Sequence, residues 1–518
     1  MIRPFGAALL LALISSSSQA DEVDPTPVGS LAQIQARGRL RWGIDPLGGA
    51  PYAFQSPTDP NVLTGFEVEL ADALAKRLGV KMAPTTGPWD RLLELLNRGD
   101  FDIAMNGLEI ADEKKRVCLM SKPYFVASAK LTIRKGDVKA PRTMEELNGR
   151  AVGTLPGALT ERILKRAGAI VKTYDGGQNE IYDDLKIGRI DAVLMDDPVA
   201  HYFGDIEPAF ETLPQSFGEV SYGVAVRPGD EELLSAINGA LDELNRNGTL
   251  RRIYERWGIW NATTAKLLGQ DPTPQSAISE AFETWRAAVG ALPPFHERLV
   301  TRYPALFGTF AKAAGLTLLL SILSMLFAVL LGVTLAVIRV FGARPLQLIS
   351  LAYVEFFRGT PLLIQLTMIY FGLPELGVTL NPFVAGCLAL GMNYAAAEAE
   401  NYRSGISSIP AGQLDAARVL GLTRWQALRH VVAPQAIRVS LPPMTNDFIA
   451  LLKDSSLVSL VTLTELTKTY SSLANATRDH LGLGVVVAVW YLIIGLPFAR
   501  LARSMEDRLG RHLRRVTA

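Results

Sequence analysis

Apolar positions follow one rule in the first half of this chain and another in the second. Up to about residue 261 they recur in short groups. "RLRWGI" (39–44) alternates Leu40, Trp42 and Ile44, the spacing of a strand. "GFEVELADALAKRLG" then sets Leu70, Ala71, Leu74 and Leu78 on one helical stripe, with Gly79 placed to end it. "WDRLLELLNRGD" repeats the helical spacing and "FDIAMNGLEI" returns to an apolar strand. A second series, "GRAVGTLPGALTERILKRAG" and "IGRIDAVLMDD", follows the same order and predicts a second lobe. Strands alternating with helices predict an α/β domain whose ligand sits beyond the strand carboxyl ends.

From about Leu306 the short periods give way to long apolar runs. "AAGLTLLLSILSMLFAVLLGVTLAVI" (313–338) carries no charge and exceeds the roughly 20 residues that a membrane-spanning helix needs. Further apolar regions at 345–374, 382–397, 444–463 and 481–498 predict about five spans in all. Gly359, Thr360 and Pro361 interrupt the second, and broken spans often border a translocation path. Glu355 and Arg358 in the same span are spaced i, i+3 and read alternatively as a structural ion pair; Glu398 and Glu400 receive no transport role. Between the halves, residues 261–303 combine proline-rich breaks with one amphipathic stretch, and read as a linker with a helix.

Charge orients the spans. Arg339, Arg344, the arginine-rich 403–438 stretch and the basic tail mark cytoplasmic loops, because positively charged loops stay inside. The loop holding Lys468 and Arg478 falls on the outer side and breaks the pattern. "MIRPFGAALLLALISSSSQA" has a basic start, a short apolar run and small residues before Asp21, so residues 1–20 read as a signal peptide and the first domain as exported. A net charge of +1 gives no nucleic-acid footprint. Cys118 and Cys387 are too isolated for a disulfide framework, and five histidines without a ligand cluster offer no metal site or catalytic centre.

One polar stretch interrupts the apolar half: "GQLDAARVLGLTRWQALRHVVAPQ" (412–435). Leu414, Ala417 and Leu420 share a helical face, and Gly421 can end that helix. Thr423 and Gln426 form a capping box for a second helix whose stripe is Trp425, Leu428, Val431 and Val432, before Pro434. Alone, such a basic amphipathic hairpin reads as lying on the membrane surface.

Linked motifs carry a family resemblance. "GFEVELADALAKRLGV", "WDRLLELLNRGDFDIAMNGLEI", "SKPYF" and "GRIDAVLMDDPVA" resemble the periplasmic polar amino-acid binding proteins of ABC importers over 40–257. The resemblance implies a solute-binding domain over 38–260 with two lobes of type II topology: 38–127 with 218–258, and 130–215. A zwitterion needs a fixed cation and N–H donors for its carboxylate, a fixed anion for its ammonium, and an apolar wall. By the family pattern Asp196 takes the ammonium and Lys114 stands where a carboxylate-clamping Arg is usual. Asn106, Gly107 and Glu109 lie on the loop after a strand, Tyr52 and Trp89 form walls, and the turn at Gly157 and Ala158 offers backbone N–H groups. Lys114 lies in "DEKKR", which by itself reads as a solvated charge run, and it lacks the planar fork of Arg. Ala111 and Ala158 replace hydroxyl residues, and Glu109 adds negative charge; with Asp196 it favours a ligand richer in positive charge or donors.

The second half resembles the permeases of the same importers over 316–509, through "VEFFRGTPLLIQLTMIYFGLP", the 412–435 stretch followed by "APQAIRVSLP", and "LLKDSSLVSLVTLTEL". The 412–435 stretch is similar to the EAA loop, with Asp415, Ala416 and Ala417 in the triplet and Gly421 at its usual distance; Arg424 follows. The resemblance implies a permease domain over 304–510, all-α with about five transmembrane helices, in the cytoplasmic (inner) membrane, pairing as a homodimer. It also implies that the loop docks a cytoplasmic ABC ATPase. Asp in place of Glu shortens the reach of the carboxylate but is expected to preserve docking. No G-x-x-x-x-G-K-[ST] occurs in the sequence, so ATP and Mg are expected on the partner and no cofactor in this chain. A ligand-gated channel and a membrane sensor use the same clamp, but the former predicts a T-V-G-Y-G filter and the latter a cytoplasmic output domain; the sequence shows neither. The reading is a transport subunit, not an enzyme, that binds an amino acid or related polar solute outside and imports it.

Overall fold

The computed structural model describes residues 31–514 except 58, 60, 61, 175, 176, 277, 291, 292 and 462; the expected signal peptide at 1–20 lies outside the described residues. The alternation of the first half folds as two sheets. In one, Arg39–Ile44 pairs in parallel with Lys81–Thr86 and with Ile103–Ala104, and Ala225–Val226 returns antiparallel between Ile103–Ala104 and Leu119–Met120. Leu40, Trp42 and Ile44 are buried together with Leu70, Ala71 and Leu74 of the helix Phe66–Arg77, so the strand and helix stripes meet. In the other sheet Ala192–Asp196 lies between Ala151–Thr154 (parallel) and the long strand Phe125–Arg134 (antiparallel). The lobes are joined where Glu219–Tyr222 pairs antiparallel with Phe125–Ser128, the two strands crossing side by side from one sheet to the other.

The linker is more than a spacer. Its helix Glu280–Gly290 buries Phe282, Trp285 and Val289, and Trp285 lies 4.6 Å, centroid to centroid, from Tyr202 of the second lobe. Its apolar stripe had a partner that local pattern cannot name, because that partner is distant in sequence.

The second half is helical. Phe307–Phe341, extended by the turn Tyr303–Leu306, and His480–Met505 are long and apolar enough to cross a membrane. Pro382–Ser407 packs along the first of them, closely enough that a side chain at Gly332 would clash with Glu398. The second apolar region breaks where its Gly-Thr-Pro predicts: Arg344–Gly359 stops and Leu362–Thr367 restarts after Pro361. Glu355 and Arg358 form no ion pair with each other; both lie on an exposed flank of that helix, and Glu400 is held instead by Arg339 at 2.5 Å and Arg403 at 2.7 Å.

Two boundaries differ from the sequence expectation. The fourth long helix spans Ala433–Asp454 rather than beginning at 444, and Ser455–Val461 is a tight 3-10 segment. Pro434 does not end the helix before it: it sits in the first turn, where its missing N–H is not needed, and the second helix of the 412–435 stretch runs on through a wider turn at Leu428–Val432 into this span. The loop with Lys468 and Arg478, expected on the outer side, is the helix Leu466–Thr477 and its C-terminal residue. It rests against Pro46–Gly48 and Phe54–Gln55 of the binding domain.

Candidate functional site

The strand Arg39–Ile44 ends at Asp45, whose carboxylate is fixed by two backbone donors: Leu47 N–H at 3.0 Å and Trp89 N–H at 3.0 Å. Asn106 follows the next strand and accepts the N–H of Asp45 at 2.8 Å, while its carbonyl accepts the Trp89 indole N–H at 2.7 Å. Gly107 adopts φ +61°, and a side chain there would meet the Tyr52 ring at 3.0 Å; its N–H donates to Glu67 at 2.7 Å. These bonds hold Trp89, Asn106, Gly107 and Tyr52 as one rigid wall.

Asp196 ends the central strand of the second lobe and faces this wall. It accepts a hydrogen bond from the Tyr222 hydroxyl and a longer one, 3.4 Å, from Tyr52, and the two hydroxyls lie 3.1 Å apart. Burial pushes the Asp196 carboxyl up to about 7, with the Tyr222 hydrogen bond opposing it and the Glu109 charge adding to it. Glu67, buried beneath Gly107 and bound by the Tyr124 hydroxyl, is likewise pushed by burial to about 7.

Glu109 crosses between the lobes. It accepts the Leu159 N–H at 2.5 Å and the Arg162 guanidinium at 3.1 Å from the second lobe, and lies 3.7 Å from the Lys114 ammonium of its own lobe. Burial lowers the Lys114 ammonium from its ordinary value and the Glu109 charge opposes this. The ammonium also stands 4.9 Å over the Trp89 ring.

These groups enclose a cavity of about 590 Å³. Tyr52, Trp89, Asn106, Gly107, Glu109, Ala158 and Asp196 line it. Two expected contacts do not. Lys114 is not on the wall; its ammonium lies 3.7 Å from the carboxylate of Glu109, which is. Gly157 is not on the wall either: at φ +72° it turns its N–H to Glu161 at 2.7 Å, inside its own turn. Asp45, Thr160 and Met195 line the cavity without having been singled out; Asp45 had a signal, its place just past a strand end. Glu67 and Tyr222 gave none, since each acts through a partner far away in sequence.

The cavity also reaches the helical half. Leu363, Thr367, Phe371, Leu460 and Lys468 line its other side. Arg91 stacks 3.9 Å over Phe371, Arg98 donates to the Tyr370 carbonyl at 2.8 Å, and Asn179 donates to the Asn475 carbonyl at 2.8 Å. Arg478 lies 4.9 Å over Phe203 of the second lobe. The basic residues that break the loop-charge pattern are thus placed against the clamp: Lys468 on its cavity, Arg478 on its aromatic flank.

The 412–435 stretch lies at the other end of the helical half. Ala411–Val419 buries Ala417 against the body, while Val419 and Leu420 are 87% and 80% exposed and Trp425 is 65% exposed. Leu420 therefore does not share the buried face expected of it, because Gly421 at φ +80° starts the turn there. The capping box forms: Thr423 N–H donates to Gln426 at 2.9 Å and Gln426 N–H to the Thr423 hydroxyl at 3.3 Å. Asp415 pairs with Arg418 at 3.1 Å on the exposed side, beside Ala416. Arg424 opens the second helix; its side chain lies outside what is described.

Residues 40–259 match the family model of bacterial extracellular solute-binding proteins, family 3, and residues 328–511 match that of the binding-protein-dependent transport system inner membrane component. The first half is 36% identical to the L-cystine-binding protein TcyJ of Escherichia coli (strain K12) over 256 residues, 48% of this chain and 92% of that protein. The second is 38% identical to the probable glutamine ABC transporter permease protein GlnM of Bacillus subtilis (strain 168) over 193 residues, 37% of this chain and 89% of that protein. Among solved structures, the ancestral amino acid-binding protein AncCDT-1 is similar at 33% identity and a TM-score of 0.41, covering 44% of this chain and 98% of that one.

Proposed function

We propose that this chain, which belongs to the amino-acid ABC importers and joins their family 3 solute-binding protein to their inner-membrane permease, captures an α-amino acid and passes it inward when a separate ATPase drives it. The carrying observation is the shared cavity: Asp196 and Tyr52 of the clamp and Leu363, Phe371 and Lys468 of the permease line one space. Solute released by the opening lobes would already face the permease.

In this reading Asp196, steadied by the Tyr52 and Tyr222 hydroxyls, binds the ammonium; Tyr52 and Trp89 wall the side chain; Asn106, Gly107 and Ala158 shape the floor; and Glu109 keeps the lobes together. L-cystine and L-glutamine, named for the relatives above, are the first probes. The binding domain stands outside the membrane and the 412–435 hairpin inside. There Asp415, Ala416, Ala417, Gly421 and Arg424 dock the ATPase, which brings ATP and Mg. The exposed Val419, Leu420 and Trp425 support that placement, since apolar tips left in water mark a docking surface. Two copies pair through their permease halves, each carrying its own clamp.

The test is a thermal-shift and calorimetric titration of the full chain in lipid nanodiscs against acidic, basic and neutral amino acids, polyamines and sulfonates. Stabilisation by ammonium-bearing amino acids, lost in Asp196→Asn, is expected. Stabilisation only by anions lacking an amino group would contradict the assignment.

A further inference from the structure

A zwitterion held by its ammonium at Asp196 still needs a cation for its carboxylate. The clamp's own candidates are drawn to Glu109 instead: Arg162 donates to it at 3.1 Å, and Lys114, whose ammonium makes no hydrogen bond among the described residues, lies 3.7 Å from it and off the cavity wall, while Glu109 also takes the Leu159 N–H. In effect the chain supplies its own carboxylate to that cluster.

Two other cations line the cavity, Arg91 and Lys468. Arg91 is stacked over Phe371 at 3.9 Å and faces Glu94 at 4.0 Å. Lys468 is different. It is only 8% exposed, and among the described residues its ammonium makes no ion pair within 4.0 Å and no hydrogen bond to a protein acceptor. The charged group on which it bears is Asp45, whose carboxylate is already occupied by the Leu47 and Trp89 N–H groups. Its backbone is anchored in the permease: the Lys468 N–H is capped by Glu465 at 2.8 Å, and the Leu466 N–H donates to Thr317 of the first span at 3.1 Å. A largely buried lysine that lines a cavity, is fixed in place and has no direct counter-ion is the arrangement of an anion site.

We propose that Lys468, a permease residue, binds the carboxylate of the amino acid whose ammonium is held at Asp196, so that the recognition site is complete only when the clamp is seated on the permease. The bound solute then bridges the two halves, and opening of the lobes leaves its carboxylate in the permease's grip. This rests on the amino-acid reading of the clamp. It also accounts for a positive charge in an outer loop, where the orientation rule disfavours one.

The experiment compares an amino acid with its decarboxylated analogue on the full chain in nanodiscs: L-cystine with cystamine, and L-glutamine with 4-aminobutanamide. In Lys468→Gln the amino acid should bind about tenfold more weakly, while the amine changes by less than about twofold, because only the former presents a carboxylate. Lys468→Arg, which keeps the charge, should retain most of the affinity. Where an amine does not bind the wild type, Lys468→Arg decides: retention supports the site, and a loss equal to that of Lys468→Gln overturns it. Unchanged amino-acid binding in Lys468→Gln, or equal weakening of acid and amine, overturns it as well. If neither amino acid binds the wild type, the amino-acid reading fails and this inference with it, an outcome that the unmutated chain alone reveals.

Discussion

The clamp and the 412–435 hairpin break opposite rules of burial. In the clamp, ionisable groups are withdrawn from water: Asp45, Glu67 and Glu109 are buried and Asp196 is partly so, each held by hydrogen bonds. In the hairpin, apolar groups are left in water: Val419, Leu420 and Trp425 project from a turn whose polar caps are satisfied. Either departure is unfavourable in isolation. In the proposed function, a polar group is buried where a small polar solute is to be gripped, and an apolar group is exposed where a protein surface is to be met.

The largest effect should come from the clamp. Asp196→Asn removes a buried charge that a bound ammonium would face, and should weaken amino-acid binding by about 2–5 kcal/mol in calorimetry, with ATPase association unchanged. The hairpin counterpart is Leu420→Ser with Val419→Ser. Removing two exposed apolar contacts should lower ATPase co-purification by about 2 kcal/mol or more, while solute binding stays as in wild type. Loss of solute binding in the hairpin variant would show that the two regions are not separate.

pH sharpens the contrast further. Burial raises the Asp196 carboxyl, so the folded empty clamp holds this group neutral below about 7 and charged above it. An ammonium ligand selects the charged form. Affinity should therefore be highest in the window above about pH 7 in which the ligand keeps its ammonium proton, and fall by close to tenfold for each unit below 7. The sign is opposite for stability: a raised carboxyl favours the folded state at low pH, and its contribution declines as pH rises from its unfolded value, 3.8, to about 7. Asp196→Asn should flatten this part of both profiles. ATPase association, which uses no such group, should not follow them.

The smallest effect is expected at the hairpin's capping box. Thr423→Ala removes one side of a reciprocal pair and should cost about 1 kcal/mol locally, read as faster hydrogen exchange of 423–427 with solute binding intact.

What could be read in the sequence was what depends on near neighbours. The strand and helix stripes around Trp42 and Leu70, the break at Gly359–Pro361 and the Thr423–Gln426 box are all set within a few residues, and each takes the form its pattern predicts. The family resemblance placed Asp196 and Tyr52 near a ligand, and they do face one cavity. What could not be read was the choice of distant partner. Lys114 lies off the cavity wall while Glu109, bound by Leu159 and Arg162 of the other lobe, lies on it. Pro434 sits in the first turn of Ala433–Asp454, which follows the wider turn at Leu428–Val432 without a break. Trp285 turns a linker into a buttress because Tyr202 is waiting for it. Lys468 registered only as a breach of loop charge, and the cavity it lines is assembled from both halves of the chain.

The central claim is that one chain both captures the solute and conducts it. Proteoliposomes containing the full chain and its cognate ATPase, with Mg and ATP on the ATPase side, test it directly. Radiolabelled L-cystine or L-glutamine, whichever stabilises the chain, is supplied on the clamp side without any added binding protein. The account predicts ATP-dependent accumulation that is abolished by Asp196→Asn in the clamp and, independently, by Leu420→Ser with Val419→Ser in the hairpin. Accumulation that needs an external binding protein, or a solute that binds the clamp and is never transported, would contradict it.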